Sequence, residues 1–92
     1  MRFVIDEVAV GDLEQITEWT AKDSPRAATS MLETILTAID RLSTFPAMGR
    51  RGRADGTYER VVSSTPYVIV YELQARPAAL IVVAVFHGAR ER

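Results

Sequence analysis

The spacing of the apolar residues changes once along this chain of 92 residues. Before residue 45, apolar side chains recur about every three to four positions, as they do along one face of an α-helix. After residue 57 they alternate with polar residues or form short unbroken runs, a pattern typical of β-strands. Such a chain is expected to pack a helical layer against a sheet, and its length suits one domain covering residues 1–92.

Two helices are predicted in the first half, over residues 7–21 and 25–43. The boundary between them is sharp, because Ser24 fits an N-cap and Pro25 fits the first position of a helix. A connection this short predicts an antiparallel hairpin. One face of the first helix carries four apolar residues: Val8, Leu13, Ile16 and Trp19. We therefore expect Trp19 to pack the first helix on the sheet or on the second helix.

Four strands are predicted, over residues 2–5, 58–63, 67–74 and 79–86. Residues 67–74 alternate, so Tyr67 and Tyr71 share one face, and both are expected in the core. The resulting order is β-α-α-β-β-β. This order predicts an α+β fold in which the helical hairpin packs on one face of a small, mainly antiparallel sheet.

The segment of residues 45–62 joins the hairpin to the sheet and is rich in glycine and arginine. It contains four of the chain's ten arginines: Arg50, Arg51, Arg53 and Arg60. In one interpretation the segment is a turn, with glycines at tight or positive-φ positions and with Arg51 and Arg53 solvated. In another, these four arginines and Arg90 contact a protein partner. Arg50 is also placed to pair with an acidic residue of the hairpin.

The composition excludes several classes of site. The chain has no cysteine and one histidine, so disulfides, thiolate metal sites and histidine-rich zinc sites are excluded, and we expect no metal or other cofactor. The net charge is −1 with a pI near 5.8, which does not suit sequence-specific DNA binding by this chain alone. Early charged residues do not fit a secretory signal, and every apolar run is too short to span a membrane. We expect a cytoplasmic protein.

Three stretches of the sequence are similar to one known family: "LSTFPAMGRRGR", "GTYERVVSSTPYVIVYEL" and "VVAVFHGARER". They resemble the RelE/ParE toxins of bacterial type II toxin–antitoxin systems, with ParE the closer likeness, and the resemblance covers essentially the whole chain. Its most specific parts are the Phe-Pro-x-x-Gly-Arg joint, the Pro66-Tyr67 strand opening and the terminal His87-Gly88-Ala89-Arg90. One departure is Tyr58, where family members commonly have arginine.

The resemblance implies a toxin neutralised by a ParD-like antitoxin, whose C-terminal segment wraps across it. A thin fold with 48% apolar residues is itself expected to leave apolar surface exposed, and such surface marks interaction sites. ParE-type members inhibit DNA gyrase, whereas RelE-type members cleave messenger RNA on the ribosome. We expect the gyrase inhibitor, because the chain lacks the C-terminal Tyr or Lys that active RelE relatives often carry.

The alternative is a ribosome-dependent endoribonuclease, which needs cations and a proton-transfer group around the phosphate. Its catalytic residues would be Arg60, His87 and Arg90, with His87 the only side chain whose unperturbed pKa suits proton transfer near pH 7. A third interpretation is a toxin relic without activity.

Overall fold

The computed structural model describes residues 1–89. Its two long helices are α1 (Glu7–Ala21) and α2 (Pro25–Thr44), and a short 3₁₀ turn follows at Pro46–Met48. The strands are β1 (Arg2–Ile5), β2 (Arg50–Arg51), β3 (Tyr58–Val61), β4 (Tyr67–Ala75) and β5 (Ala78–His87). The predicted order is confirmed, with β2 as an addition inside the segment that was expected to be a loop.

Both helices begin where the sequence places a capping residue. The Asp6 carboxylate accepts from the backbone N–H of Glu7 at 2.8 Å, and the Ser24 hydroxyl accepts from that of Ala27 at 3.2 Å. These bonds satisfy amides of the first turn that have no partner within the helix. Pro25 occupies the first turn of α2, where a missing N–H costs nothing.

The sheet has the order β1-β5-β4-β3-β2. Strand β1 runs parallel to β5 and the other three pairs are antiparallel, which confirms a mainly antiparallel sheet. Strand β3 ends at Val61, earlier than predicted, because the chain turns through Ser64 at φ 66°. The Val62 N–H then donates to the Tyr67 carbonyl at 2.9 Å and closes this turn onto β4.

The core lies between the helical hairpin and one face of the sheet. Its largest fully buried side chains come from α2, β4 and β5: Ile35, Ile39, Leu42, Ile69, Tyr71, Leu80 and Val82. Each such side chain stabilises the fold by about 1.5–3 kcal/mol relative to leaving it in water. The prediction that Tyr67 and Tyr71 are core residues is confirmed, since both are buried.

The apolar face predicted for α1 is only partly correct. Leu13 and Ile16 are buried together with Ala9, whereas Val8 is 64% exposed and Trp19 is 53% exposed. Trp19 was expected to pack α1 on the sheet or on α2, but about half of its side chain is exposed. The buried face is rotated toward Ala9, which is fully buried in the core.

Candidate functional site

Strand β5 is covered by β1 along only half of its outer edge. Pairing runs from Arg2 opposite Ala79 to Ile5 opposite Val82, and the Asp6 N–H adds a last bond to the Val82 carbonyl at 2.9 Å. The chain then leaves the sheet to form α1. Among the described residues 1–89, no strand pairs with this edge of β5 beyond Val82. An edge left open in this way can accept an added strand.

One donor on the open edge is occupied by a helix side chain. The Val85 N–H donates to Oδ2 of Asp12 at 2.9 Å, which fastens the middle of α1 to β5. Sequence reasoning missed Asp12, because a lone carboxylate within a helix usually indicates a solvated position. Its partner lies 73 positions further along the chain, so no local pattern identifies the contact.

A groove of about 590 Å³ runs between α1 and the second half of β5. Val8 and Trp19 line it from α1, and Phe86 and His87 line it from β5. The Lys22 ammonium lies 5.0 Å from the centroid of the Trp19 ring, within the range of a cation–π contact. Val8 and Trp19, the two residues of the predicted apolar face that are missing from the core, therefore form one wall of this groove.

His87 lies at the end of β5 and makes two structural contacts. Its Nδ1 accepts from the Ala89 N–H at 3.2 Å, and its ring meets the Tyr67 ring edge-on, with the centroids 5.5 Å apart. With Nδ1 as an acceptor, the neutral ring carries its proton on Nε2. The imidazole is thus held in one orientation by the backbone and by Tyr67.

Arg60 lies on the same face of the sheet as His87, as the predicted nuclease site requires. Arg60 is paired with Ile69, and Tyr67 with His87, so all four side chains are on the helix-covered face. Ile69 and Tyr67 are buried and stand between the two polar residues. Arg60 Nη1 donates to the Met48 carbonyl at 3.2 Å, and Arg60 does not line the groove that His87 lines. Arg90, the third predicted member, lies outside the described residues.

Glu59 contacts two residues of the arginine-rich segment through its carboxylate. It is buried, and its carboxylate is 3.8 Å from the Arg50 guanidinium and accepts from the Arg53 N–H at 3.4 Å. The expected pairing of Arg50 with the helical hairpin was wrong, because β2 pairs with β3 and places Arg50 opposite Glu59. Arg51 and Arg53 are exposed, as the solvated-turn interpretation expects.

Tyr58 takes a structural position on β3. Its ring stacks on that of Tyr71, with centroids 5.5 Å apart and planes 27° apart. Tyr58 therefore extends the core toward the edge of the sheet. Gly56 closes the preceding loop at φ 81°, a conformation that side chains with a Cβ rarely adopt.

The described residues offer no cluster of three or more His, Cys, Asp or Glu side chains that would hold a metal ion. Neither long helix in the described part of the chain has the length and apolarity to span a membrane.

Two solved structures have the same fold. A chain from the chromosomal ParDE toxin–antitoxin system of Pseudomonas aeruginosa superimposes with a TM-score of 0.82 at 14% identity, over 95% of both chains. A chain from the RelBE2 toxin–antitoxin complex of Mycobacterium tuberculosis gives a TM-score of 0.63 at 20% identity, over 94% of this chain and 95% of that one. A helical hairpin on a five-stranded mixed sheet is thus an α+β fold of the RelE/ParE class.

Sequence comparison specifies the family. Residues 3–92 match the ParE toxin family of the type II toxin–antitoxin system parDE. A Sinorhizobium fredii protein named as a toxin, Y4kP, is 40% identical over 65 residues, which cover 71% of this chain and 68% of that protein. Toxin RelE2 of Caulobacter vibrioides is 34% identical over 82 residues, 89% of either chain. The chain belongs to the ParE toxin family and is a type II toxin–antitoxin toxin.

Proposed function

We propose that this toxin acts by binding DNA gyrase, without catalysing a reaction of its own, and that a ParD-like antitoxin neutralises it. The observation that carries the proposal is the separation of Arg60 from His87 by the buried side chains of Ile69 and Tyr67. A general acid or base must come within hydrogen-bonding reach of the same substrate as the cations that stabilise its charge. Arg60 and His87 instead each form a hydrogen bond with a backbone group of the toxin itself.

The exposed arginines support a role in contacting the target. Arg51 ends β2 and Arg53 lies in the loop that follows, where its N–H donates to Glu59, and the Arg50 side chain is 67% exposed. Guanidinium groups on a fixed segment suit an acidic protein surface, because less backbone freedom is lost on binding. Gyrase is a cytoplasmic enzyme, so the proposal places the toxin in the cytoplasm.

The groove between α1 and β5 supports an antitoxin partner. It combines exposed Trp19 and Val8 with a strand edge that the described part of the chain leaves open beyond Val82. An antitoxin segment is proposed to lie along this groove, adding backbone bonds to β5 and packing apolar side chains against Trp19. The similar solved structures come from toxin–antitoxin systems, in keeping with such a partner.

The endoribonuclease remains the second candidate, because one similar relative is named RelE2 and one similar structure comes from a RelBE2 complex. In that case Arg60, His87 and Arg90 would supply the chemistry after a rearrangement on the ribosome.

The substitution His87→Ala separates the two candidates. Loss of a general acid or base costs on the order of 10²–10⁴-fold in rate, so a nuclease would be almost inactive. For a gyrase inhibitor we expect nearly full inhibition of supercoiling by His87→Ala, and weaker inhibition by Arg53→Gln, through lost charge complementarity. Supercoiling assays and mapping of message ends on ribosomes would be run side by side. Cleavage at A-site codons that disappears in folded His87→Ala protein would overturn the proposal.

A further inference from the structure

Asp12 occupies a backbone donor in the middle of the open half of the β5 edge. The Val85 N–H is turned away from β4, because it donates to Oδ2 of Asp12 at 2.9 Å. Amides of an antiparallel strand alternate between its two sides, so the next outward donor is that of His87. A strand added to this edge would need the Val85 N–H as one of these two donors. Asp12 therefore competes directly with any strand that would extend the sheet here.

The opposite end of the sheet is protected in a different way. Strand β2 is two residues long, and both residues are exposed arginines, Arg50 and Arg51. A short, charged edge strand does not readily pair with another chain. Strand β5 has ten residues, Ala78–His87, and none of them is Asp, Glu, Lys, Arg, Pro or Gly. Long, uncharged strands without proline are the ones that pair with copies of themselves, so β5 needs another form of protection.

A second copy of the chain is the partner that suits this edge. Two identical strands that pair antiparallel are related by a two-fold axis, so each offers the other the same donors and acceptors. No charged residue of β5 would meet its own copy across that axis. Val8 and Trp19, which are exposed on α1 and line the groove beside the edge, would be covered by the same contact.

We infer that Asp12 is an edge guard: it keeps β5 from pairing with the β5 of a second copy, and so keeps the free toxin monomeric. To pair, each copy of the native protein would have to break the charged hydrogen bond between Asp12 and Val85. The two freed carboxylates would also lie close together near the two-fold axis, where like charges repel. An antitoxin strand added to this edge would have to displace Asp12 as well, but the inference rests on the toxin alone.

Sedimentation equilibrium of the full chain tests the inference through the dissociation constant of the dimer. Asp12→Ala should lower that constant about 100-fold, because two charged hydrogen bonds no longer have to be broken on pairing. Asp12→Asn keeps a neutral acceptor for the Val85 N–H and should lower the constant about tenfold. Glu14→Ala is the matched control, since it removes an exposed carboxylate from the same helix and leaves the bond to Val85 in place. Its dissociation constant should stay close to that of native protein.

Amide hydrogen exchange locates the contact. In Asp12→Ala the Val85 amide should exchange quickly at dilutions where the variant is monomeric, and slowly at concentrations where it is dimeric. The Val61 amide is the internal control at the other end of the sheet. It faces outward from β3, because the neighbouring Val62 N–H donates to Tyr67 of β4. Its exchange rate should not change with protein concentration.

The inference is overturned by any of three results. The first is a folded Asp12→Ala protein that dimerises no more than native protein. Circular dichroism verifies the fold, and if the alanine variant does not fold, the same result in Asp12→Asn decides. The second is an equal gain in Glu14→Ala, which would indicate only a general effect of acidic charge. The third is protection of Val61 in place of Val85, which would put the pairing at the other end of the sheet. None of these assays contains gyrase or antitoxin, so their failure would leave the proposed function intact.

Discussion

The hydroxyl group of Tyr71 donates a hydrogen bond to the carbonyl of Pro46 at 2.6 Å, 25 positions earlier in the chain. The same oxygen accepts from the N–H of Gly49 at 3.1 Å. One buried side chain at the centre of β4 thereby fixes the joint, the segment of residues 46–49 that connects the helical hairpin to the sheet. Glycine is required at position 49, because a Cβ there would overlap the Tyr71 hydroxyl.

The substitution Tyr71→Phe should destabilise the protein by about 1–3 kcal/mol, because two backbone groups of the joint lose their partner. Chemical denaturation monitored by circular dichroism measures this loss. Tyr58→Phe is the matched control: its ring also stacks in the sheet, but no hydrogen bond of its hydroxyl joins the described residues. Equal effects of the two substitutions would show that the joint does not depend on the Tyr71 hydroxyl.

Alkaline pH should destabilise the fold through the same residue. Burial raises the pKa of Tyr71 above its ordinary value of 10.0, and the N–H donated by Gly49 opposes this only in part. The unfolded chain therefore releases the phenol proton at lower pH than the folded one. The contribution of the protonated Tyr71 hydroxyl to the free energy of unfolding is complete below about pH 10 and is lost as the pH rises through the folded-state pKa. Urea midpoints measured on both sides of pH 10 should fall less steeply in Tyr71→Phe than in native protein.

The helices and most strands could be predicted because their signals are local. Ser24 and Pro25 mark the start of α2, and the alternation that begins at Tyr67 marks β4, so short stretches suffice. Strand β2 was missed because two arginines have no strand pattern of their own. They pair with β3 only after the joint held by Tyr71 turns the chain back.

The candidate site was less predictable, since its contacts join distant residues. The register between β3, β4 and β5 places Ile69 and Tyr67 between Arg60 and His87, and no sequence spacing encodes that separation. Trp19 was assigned to the apolar face of the first helix by its helical spacing. Helical spacing indicates which residues share a face, but it does not fix the rotation of the helix, and here Ala9 is buried in place of Trp19.

Removing the carboxylate of Glu59 should loosen the arginine-rich loop. Glu59→Ala leaves the Arg53 N–H and the Arg50 guanidinium without this acceptor, and the expected loss of stability is about 1–3 kcal/mol. Limited trypsin digestion reports on the loop directly, because Arg50, Arg51 and Arg53 are cleavage sites. Cleavage there should be faster in Glu59→Ala than in Glu72→Ala, which removes an exposed carboxylate from β4. Equal cleavage rates would contradict the role given to Glu59.

Asp12 should hold α1 against β5. Asp12→Ala removes the acceptor of the Val85 N–H and should cost about 1–2 kcal/mol, whereas Asp12→Asn keeps a side-chain oxygen and should cost less. Hydrogen exchange of the Val85 amide is the specific measurement, since this proton should lose protection in Asp12→Ala. Glu14→Ala, which removes an exposed carboxylate from the same helix, is the control. Unchanged protection of Val85 in Asp12→Ala would contradict the prediction.

The exposed ring of Trp19 should be central to antitoxin binding. Buried aromatic anchors of an interface typically cost 2 kcal/mol or more when truncated, so Trp19→Ala should weaken the antitoxin complex about 30-fold. Phe45→Ala is the matched control, because Phe45 is 56% exposed, as compared with 53% for Trp19, and is absent from the residues that line the groove. Calorimetric titration gives the affinities. Antitoxin that binds only the folded toxin should also raise the thermal midpoint of native protein and Phe45→Ala more than that of Trp19→Ala. A larger loss in Phe45→Ala would place the antitoxin on the opposite end of the hairpin and overturn the groove as its site.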